Sequence, residues 1–172
     1  MDGFTLRNLA LAVALSSMGT AFAATSNDFV DNAAAGGIAE IETSRLALEK
    51  SQSADIKAFA NMMITDHSKA NDELAALAKK NDIEVPDTTT LVKQAKEKIL
   101  DMRDESFDTA YANNQVKAHE ETIELFKKEA NTVTDDKVKG ATDLKAFAQK
   151  MLPALEKHLA KAKELQAAHP DK

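Results

Sequence analysis

The chain has 172 residues, 29% of them charged and 44% hydrophobic, with a net charge of −6, a balance that suits one soluble domain with a sizeable core. No basic patch stands out to neutralise phosphates, which argues against nucleic acid as a partner. There is no cysteine, hence no disulfide, thiolate metal site or cysteine nucleophile. Five glycines, three prolines and 5% aromatics leave few turn and strand formers and point to an all-helical chain.

Residues 1–23 read as a secretory signal peptide. Arg7 lies in a short polar start, Leu9 to Leu15 (LALAVAL) is the apolar run, and Ala21-Phe22-Ala23 is an A-x-A cleavage site. The run is shorter than the roughly 20 apolar residues of a membrane span. The expected mature chain is a single domain over 24–172, exported to a bacterial periplasm, with no transmembrane segment after cleavage.

Ser26 or Asn27 can cap a first helix, expected from about Asp28 to Lys50. Val30, Ala34, Ile38, Ile41 and Leu48 share one of its faces. Gly36-Gly37 inside it costs roughly 1 kcal/mol per glycine relative to alanine, which points to close packing against a neighbouring helix. Arg45 falls near the apolar face, where its stem can snorkel or its head meet a carboxylate. Ser51-Gln52-Ser53 is a tight turn, so the first two long helices lie antiparallel.

The second helix starts at Ser53 and ends near Asn81-Asp82. Ile56, Ala60, Met63, Ala70, Leu74 and Leu77 follow alternating steps of four and three, the seam of a helix packed among others. The seam position missing from that series holds His67. Ile83 to Asp87, with Pro86, is an extended connector, and Thr88 to about Asp101 is a shorter helix. The third long helix, from about Ser106 to Asn131, carries Ala112, Val116, Ile123, Phe126 and Ala130, and its missing seam position is His119. Thr132 to Gly140 is a polar loop. The fourth, from about Thr142 to Gln166, carries Leu144, Ala148, Met151, Leu155, Ala162 and Leu165, and its missing position is His158. Pro153 inside it should bend it or leave a carbonyl unpaired. The tail from Ala167, with His169, is expected to fray into solvent. These elements predict an all-α, up-down bundle of four long helices, with an extra short helix in the connector between the second and third long ones.

Three histidines thus hold seam positions near the middle of three helices, and in an antiparallel bundle mid-helix positions meet at one level. His67, His119 and His158 are the candidate metal ligands, because neutral imidazole binds zinc, copper, iron and nickel. Glu40 or Glu42, mid-way along the first helix, can complete the shell, and periodicity does not choose between them. Asp66 and Glu120 point roughly 100° away from the adjacent histidines and suit outer or surface roles. The competing reading is a buried polar network that fixes the register of the bundle. The methionines, Met62, Met63, Met102 and Met151, read as core filler rather than copper ligands.

The strings GGIAEIETSRLALEKSQSADIKAFANMMITDHSKANDELAALAKK, AYANNQVKAHEETIELFKKEA and LKAFAQKMLPALEKHLAKAKEL resemble a bacterial family, domain of unknown function 4142, over nearly the whole mature chain. Its D-H-x-K-A-N-x-x-L and L-P-x-L-x-x-H elements both stand here complete. The resemblance implies an exported protein of the ferritin-like superfamily and a four-helix bundle with an extra helix in the crossover. It supplies no activity. Di-iron members of that superfamily use a Glu-x-x-His pair on each of two helices, whereas Ile64, Val116 and Leu155 stand three residues before the histidines here.

The function expected from these residues is a non-enzymatic periplasmic binding or stress-associated bundle holding one zinc, copper or iron ion. A ferritin-like metal-dependent redox enzyme and a purely structural or interaction bundle are the alternatives. Besides the metal ion, a homo-oligomer stays open as a partner.

Overall fold

The computed structural model describes residues 27–99, 107–135 and 137–170. The leader expected over 1–23, Met102 and the end of the short helix at Asp101 lie outside them. Five helices follow in order: α1 (Asp28–Lys50), α2 (Ala54–Lys80), α3 (Thr88–Ile99), α4 (Phe107–Ala130) and α5 (Ala141–Ala168). Among the described residues there is no strand.

Local chemistry sets the helix starts. Asn27 sits in extended backbone and its Oδ1 accepts from the N–H groups of Phe29 and Val30 at 3.0 and 3.1 Å, which satisfies two otherwise unpaired donors. At α2, which begins after Ser53, the cap takes a different form. The Ser53 hydroxyl donates to Asp55, and it is Asp55 Oδ1 that accepts from the Ile56 N–H, placing an acid at the positive end of the dipole. Gly140 opens α5 with φ 73°, and a side chain there would also crowd Ile83 and Asn81.

Four of the helices form a ring in which α1 packs on α2 and α4, and α5 packs on α2 and α4. The contacts at their ends fix the directions. Phe29, at the start of α1, meets Phe126 at the end of α4 and Phe147 near the start of α5. Tyr111, near the start of α4, meets Ser44 late in α1 and Phe59 early in α2. All neighbours in the ring are therefore antiparallel, while α2 and α4 run parallel across the diagonal. The segment carrying α3 makes the one long crossover this requires, and α3 lies outside the ring on α1, burying Leu91 and Ala95.

The core divides into two apolar clusters. One gathers Phe29, Leu74, Ile123, Phe126, Phe147 and Leu155 toward the end where α1 begins. The other gathers Ile56, Phe59, Met63, Tyr111, Val116 and Ala162 toward the opposite end. Each histidine of the expected set stands between a residue of the first cluster and a residue of the second on its own helix. A polar layer is thus clamped between two dry ones.

Three local expectations meet the structure. Arg45 is exposed and its head meets a carboxylate, that of Glu42 one turn earlier. His169 is not left to solvent: α5 runs on to Ala168, and the His169 ring is half-buried, with Nε2 at 3.0 Å from Asp55 Oδ2. The glycine pair does not act as a unit. An added methyl at Gly37 would collide with the Asn71 amide, whereas at Gly36 the nearest atom is Thr122 Oγ1 at 4.0 Å. Pro153 lies on the exposed side of α5, where water can take up the carbonyl of Gln149 that the missing N–H leaves free.

Candidate metal centre

The three seam histidines meet in the core. Ring centroids of His67 and His119 are 5.7 Å apart, those of His67 and His158 5.6 Å, and those of His119 and His158 5.5 Å. All three side chains are buried. One ring nitrogen of each lies within 4.8 Å of one ring nitrogen of both others.

The second nitrogen of two rings is held from outside. His119 donates from Nδ1 to the backbone carbonyl of Gln115, one turn earlier on α4, at 2.8 Å. A carbonyl can only accept, so the proton sits on Nδ1 and Nε2 carries a lone pair. His158 donates from Nε2 to Asp66 Oδ2 across the α2–α5 interface at 3.0 Å, which leaves the lone pair on Nδ1. His119 Nε2, His158 Nδ1 and His67 Nε2 are all buried with no hydrogen-bond partner among the described residues. Histidines that ligate a metal are oriented in this way, one nitrogen on the ion and the other on a carbonyl or carboxylate.

Electrostatics keep the rings neutral. Burial pushes His67 down to about 3, helped by the neighbouring charges that His119 and His158 would carry. Burial pushes His119 down to about 4, against the Gln115 carbonyl, which favours the protonated ring. Burial also lowers His158, and the Asp66 carboxylate opposes it. Two neutral imidazoles with unshared pairs fixed by these bonds, and a third whose Nε2 is free to carry one, are a Lewis-basic cluster.

The two candidate carboxylates part company. Glu40 is turned inward and buried beside Gln115, where desolvation raises its carboxyl to about 7 and the Gln115 side chain pulls the other way. Glu42 is turned to Arg45. Neither belongs to the close set of nitrogens. Asp66, read from its position as an outer or surface residue, is the carboxylate that orients a histidine. Glu120 pairs with Lys163 at 3.0 Å. Met63 is core filler in the cluster below His67. The sequence carries no signal for the Gln115 carbonyl, because every residue in a helix interior has a carbonyl four residues before it.

A small cavity of about 40 Å³ borders this cluster, lined in part by His67, Asn71 and His158. A wider groove of about 770 Å³ between α1, α3 and α4 has Glu40 in its wall. No helix among the described residues is long and apolar enough to cross a membrane. No curated protein and no solved structure matches the chain. The family described as a domain of unknown function (DUF4142) matches residues 12–165, so the protein belongs to that family.

Proposed function

We propose that this protein is an exported, periplasmic helical bundle that binds one zinc, copper or iron ion through His67, His119 and His158. The observation that carries the reading is three buried histidines with one ring nitrogen of each within 4.8 Å of one on both others, each ring also having a buried nitrogen without a partner among the described residues. His119 Nε2 and His158 Nδ1 are buried acceptors without a donor, and each buried nitrogen left unpaired forfeits a hydrogen bond at a cost of about 1–3 kcal/mol. A cation converts that cost into three bonds. Around a tetrahedral ion with bonds of about 2.0–2.1 Å, ligand nitrogens stand roughly 3.4 Å apart, so nitrogens at the 4.8 Å limit would have to close on one another as the ion binds. Imidazole donors without thiolate suit zinc, copper and iron.

Placement in the ferritin-like superfamily is supported by the single long crossover between two parallel helices, a connection that ferritin-like bundles use. The absence of any Glu-x-x-His pair separates this chain from the di-iron members and favours holding an ion over oxidising with a carboxylate-bridged pair. Export is supported by LALAVAL and the Ala21-Phe22-Ala23 site.

The test is metal analysis of protein recovered from the periplasm without a histidine tag. One ion per chain, on a chain beginning near Ala24, is the expected result. Metal-free protein that also takes up no added zinc or copper would leave the histidines as a structural network. Turnover of peroxide or of a reduced metal by the loaded protein would favour the redox enzyme instead.

A further inference from the structure

The cavity beside the histidines has a polar atom that the three-ligand reading does not use. Asn71 follows His67 by one turn on α2, and its side chain is pressed so close to α1 that only a glycine at position 37 admits it. Asn71 Nδ2 is buried and has no partner among the described residues. The same cavity is lined by Asn71, His67 and His158, with Gly37, Ala70 and Leu155 among its apolar walls. Two histidines and an asparagine with an unpartnered amide nitrogen therefore line a space of about 40 Å³. One water needs about 10–15 Å³ of such space, so the space suits a ligand of a few atoms.

Charge points to what such a ligand is. Three neutral imidazoles leave the full double charge of a divalent ion in a dry core. Asp66 stands behind the His158 ring, tied to its Nε2 at 3.0 Å, and returns one negative charge from a distance. Glu40 is outside the close set, and its burial favours the neutral acid. A buried charge without a partner is costly, and a site with three protein ligands characteristically keeps its fourth position for an external one. A ligand there that is negative lowers the net charge, and the unpartnered amide of Asn71, which lines the same cavity, can supply the hydrogen bond a metal-bound anion seeks.

We propose that the ion held by His67, His119 and His158 keeps an open coordination position toward this cavity. That position takes a monovalent inorganic anion of a few atoms, hydrogen-bonded by Asn71 Nδ2. The inference rests on the metal reading above. Asn71 is then a ligand-binding residue rather than a packing residue, and Gly37 is the notch that lets it reach the site.

The experiment is titration of the cobalt-loaded full mature chain with azide, read by visible absorption. Saturable band shifts with azide, and none with sulfate at equal concentration, are expected. Asn71→Ala and the similarly branched Asn71→Leu should weaken azide by about tenfold, the value of one charge-assisted hydrogen bond, while cobalt affinity stays within about twofold. Bands indifferent to azide on a loaded protein would overturn the open position and leave the metal site standing. Unchanged azide affinity in both variants would overturn the role of Asn71. Failure of the wild type to take up cobalt would remove the metal reading and this inference together.

Discussion

Asp66 Oδ2 accepts from His158 Nε2 at 3.0 Å across the α2–α5 interface, and this bond decides which face of the His158 ring meets the other two histidines. Asp66 is itself half-exposed, so it can be changed without opening the core. Asp66→Ala should leave the helical fold intact and weaken zinc binding by about 10–100-fold, as loss of an outer partner does. Asp66→Asn, which keeps an acceptor without the charge, should fall between. Competition with a zinc chelator measures both. Equal affinity in Asp66→Ala and wild type would show that the bond does not orient a ligand.

The metal-free protein should lose stability in acid. The folded-state values of His67 and His119, about 3 and about 4, and the lowered value of His158 lie below the ordinary histidine range. The unfolded chain therefore binds more protons below about pH 6.5. Stability from these rings is fully present above that pH and is lost as pH falls toward the folded values, at up to about 1.4 kcal/mol per pH unit for each ring. Glu40 has the opposite sign: its folded value is raised to about 7, so its contribution is present below about pH 4.5 and lost as pH rises through 7. Three groups outweigh one, and the chemical unfolding midpoint should drop from pH 7.5 to 5. Glu40→Gln should stabilise more at pH 7.5 than at pH 5. A flat wild-type profile in chelator would contradict the dominance of the histidines, and an equal effect of Glu40→Gln at both pH values would contradict the Glu40 shift.

The two adjacent glycines of α1 should respond in opposite directions. Gly36→Ala meets nothing closer than 4.0 Å and should stabilise by up to about 1 kcal/mol through helix propensity. Gly37→Ala drives a methyl into the Asn71 amide and should destabilise by about 1–3 kcal/mol, as overpacking does. Thermal melts of the two variants give the comparison. A matched response would mean that Asn71 is not held against α1.

Leu74 and Leu155 lie in the apolar cluster on one side of the histidine layer. Replacing either by alanine should cost about 2–5 kcal/mol. Denaturant midpoints within error of wild type for both would rule out the packing described. Amide exchange should be faster in α3, whose main contacts among the described residues are with α1 alone, than around His67 at the centre of α2.

Much of this architecture was legible because four-three spacing names the buried face of each helix. The bounds of α1, α4 and α5 follow from that spacing with Asn27 and the polar segment before Gly140. The histidine layer was legible for a second reason: mid-helix positions of antiparallel neighbours share a level. Periodicity says which face is buried but not which side chain stands opposite. Hence Asp66 could be placed off the seam, yet its reach to His158 needed the crossing of α2 and α5. The same limit left Glu40 and Glu42 unresolved until Arg45 was seen to hold Glu42. It also hid the pairing of His169 with Asp55, which joins residues 114 apart in the chain. Gly36 and Gly37 look alike in sequence, and only the position of Asn71 tells them apart.

Zinc titration of the wild type beside His67→Ala, His119→Ala and His158→Ala, with circular dichroism on each, tests the shared site most directly. One ion per wild-type chain is predicted. Each replacement should weaken binding by more than about a hundredfold, beyond what loss of an outer partner costs, with helicity retained. No binding by the wild type, or unchanged binding in any two of the variants, would contradict a common metal centre and reduce the three rings to a polar layer in the core.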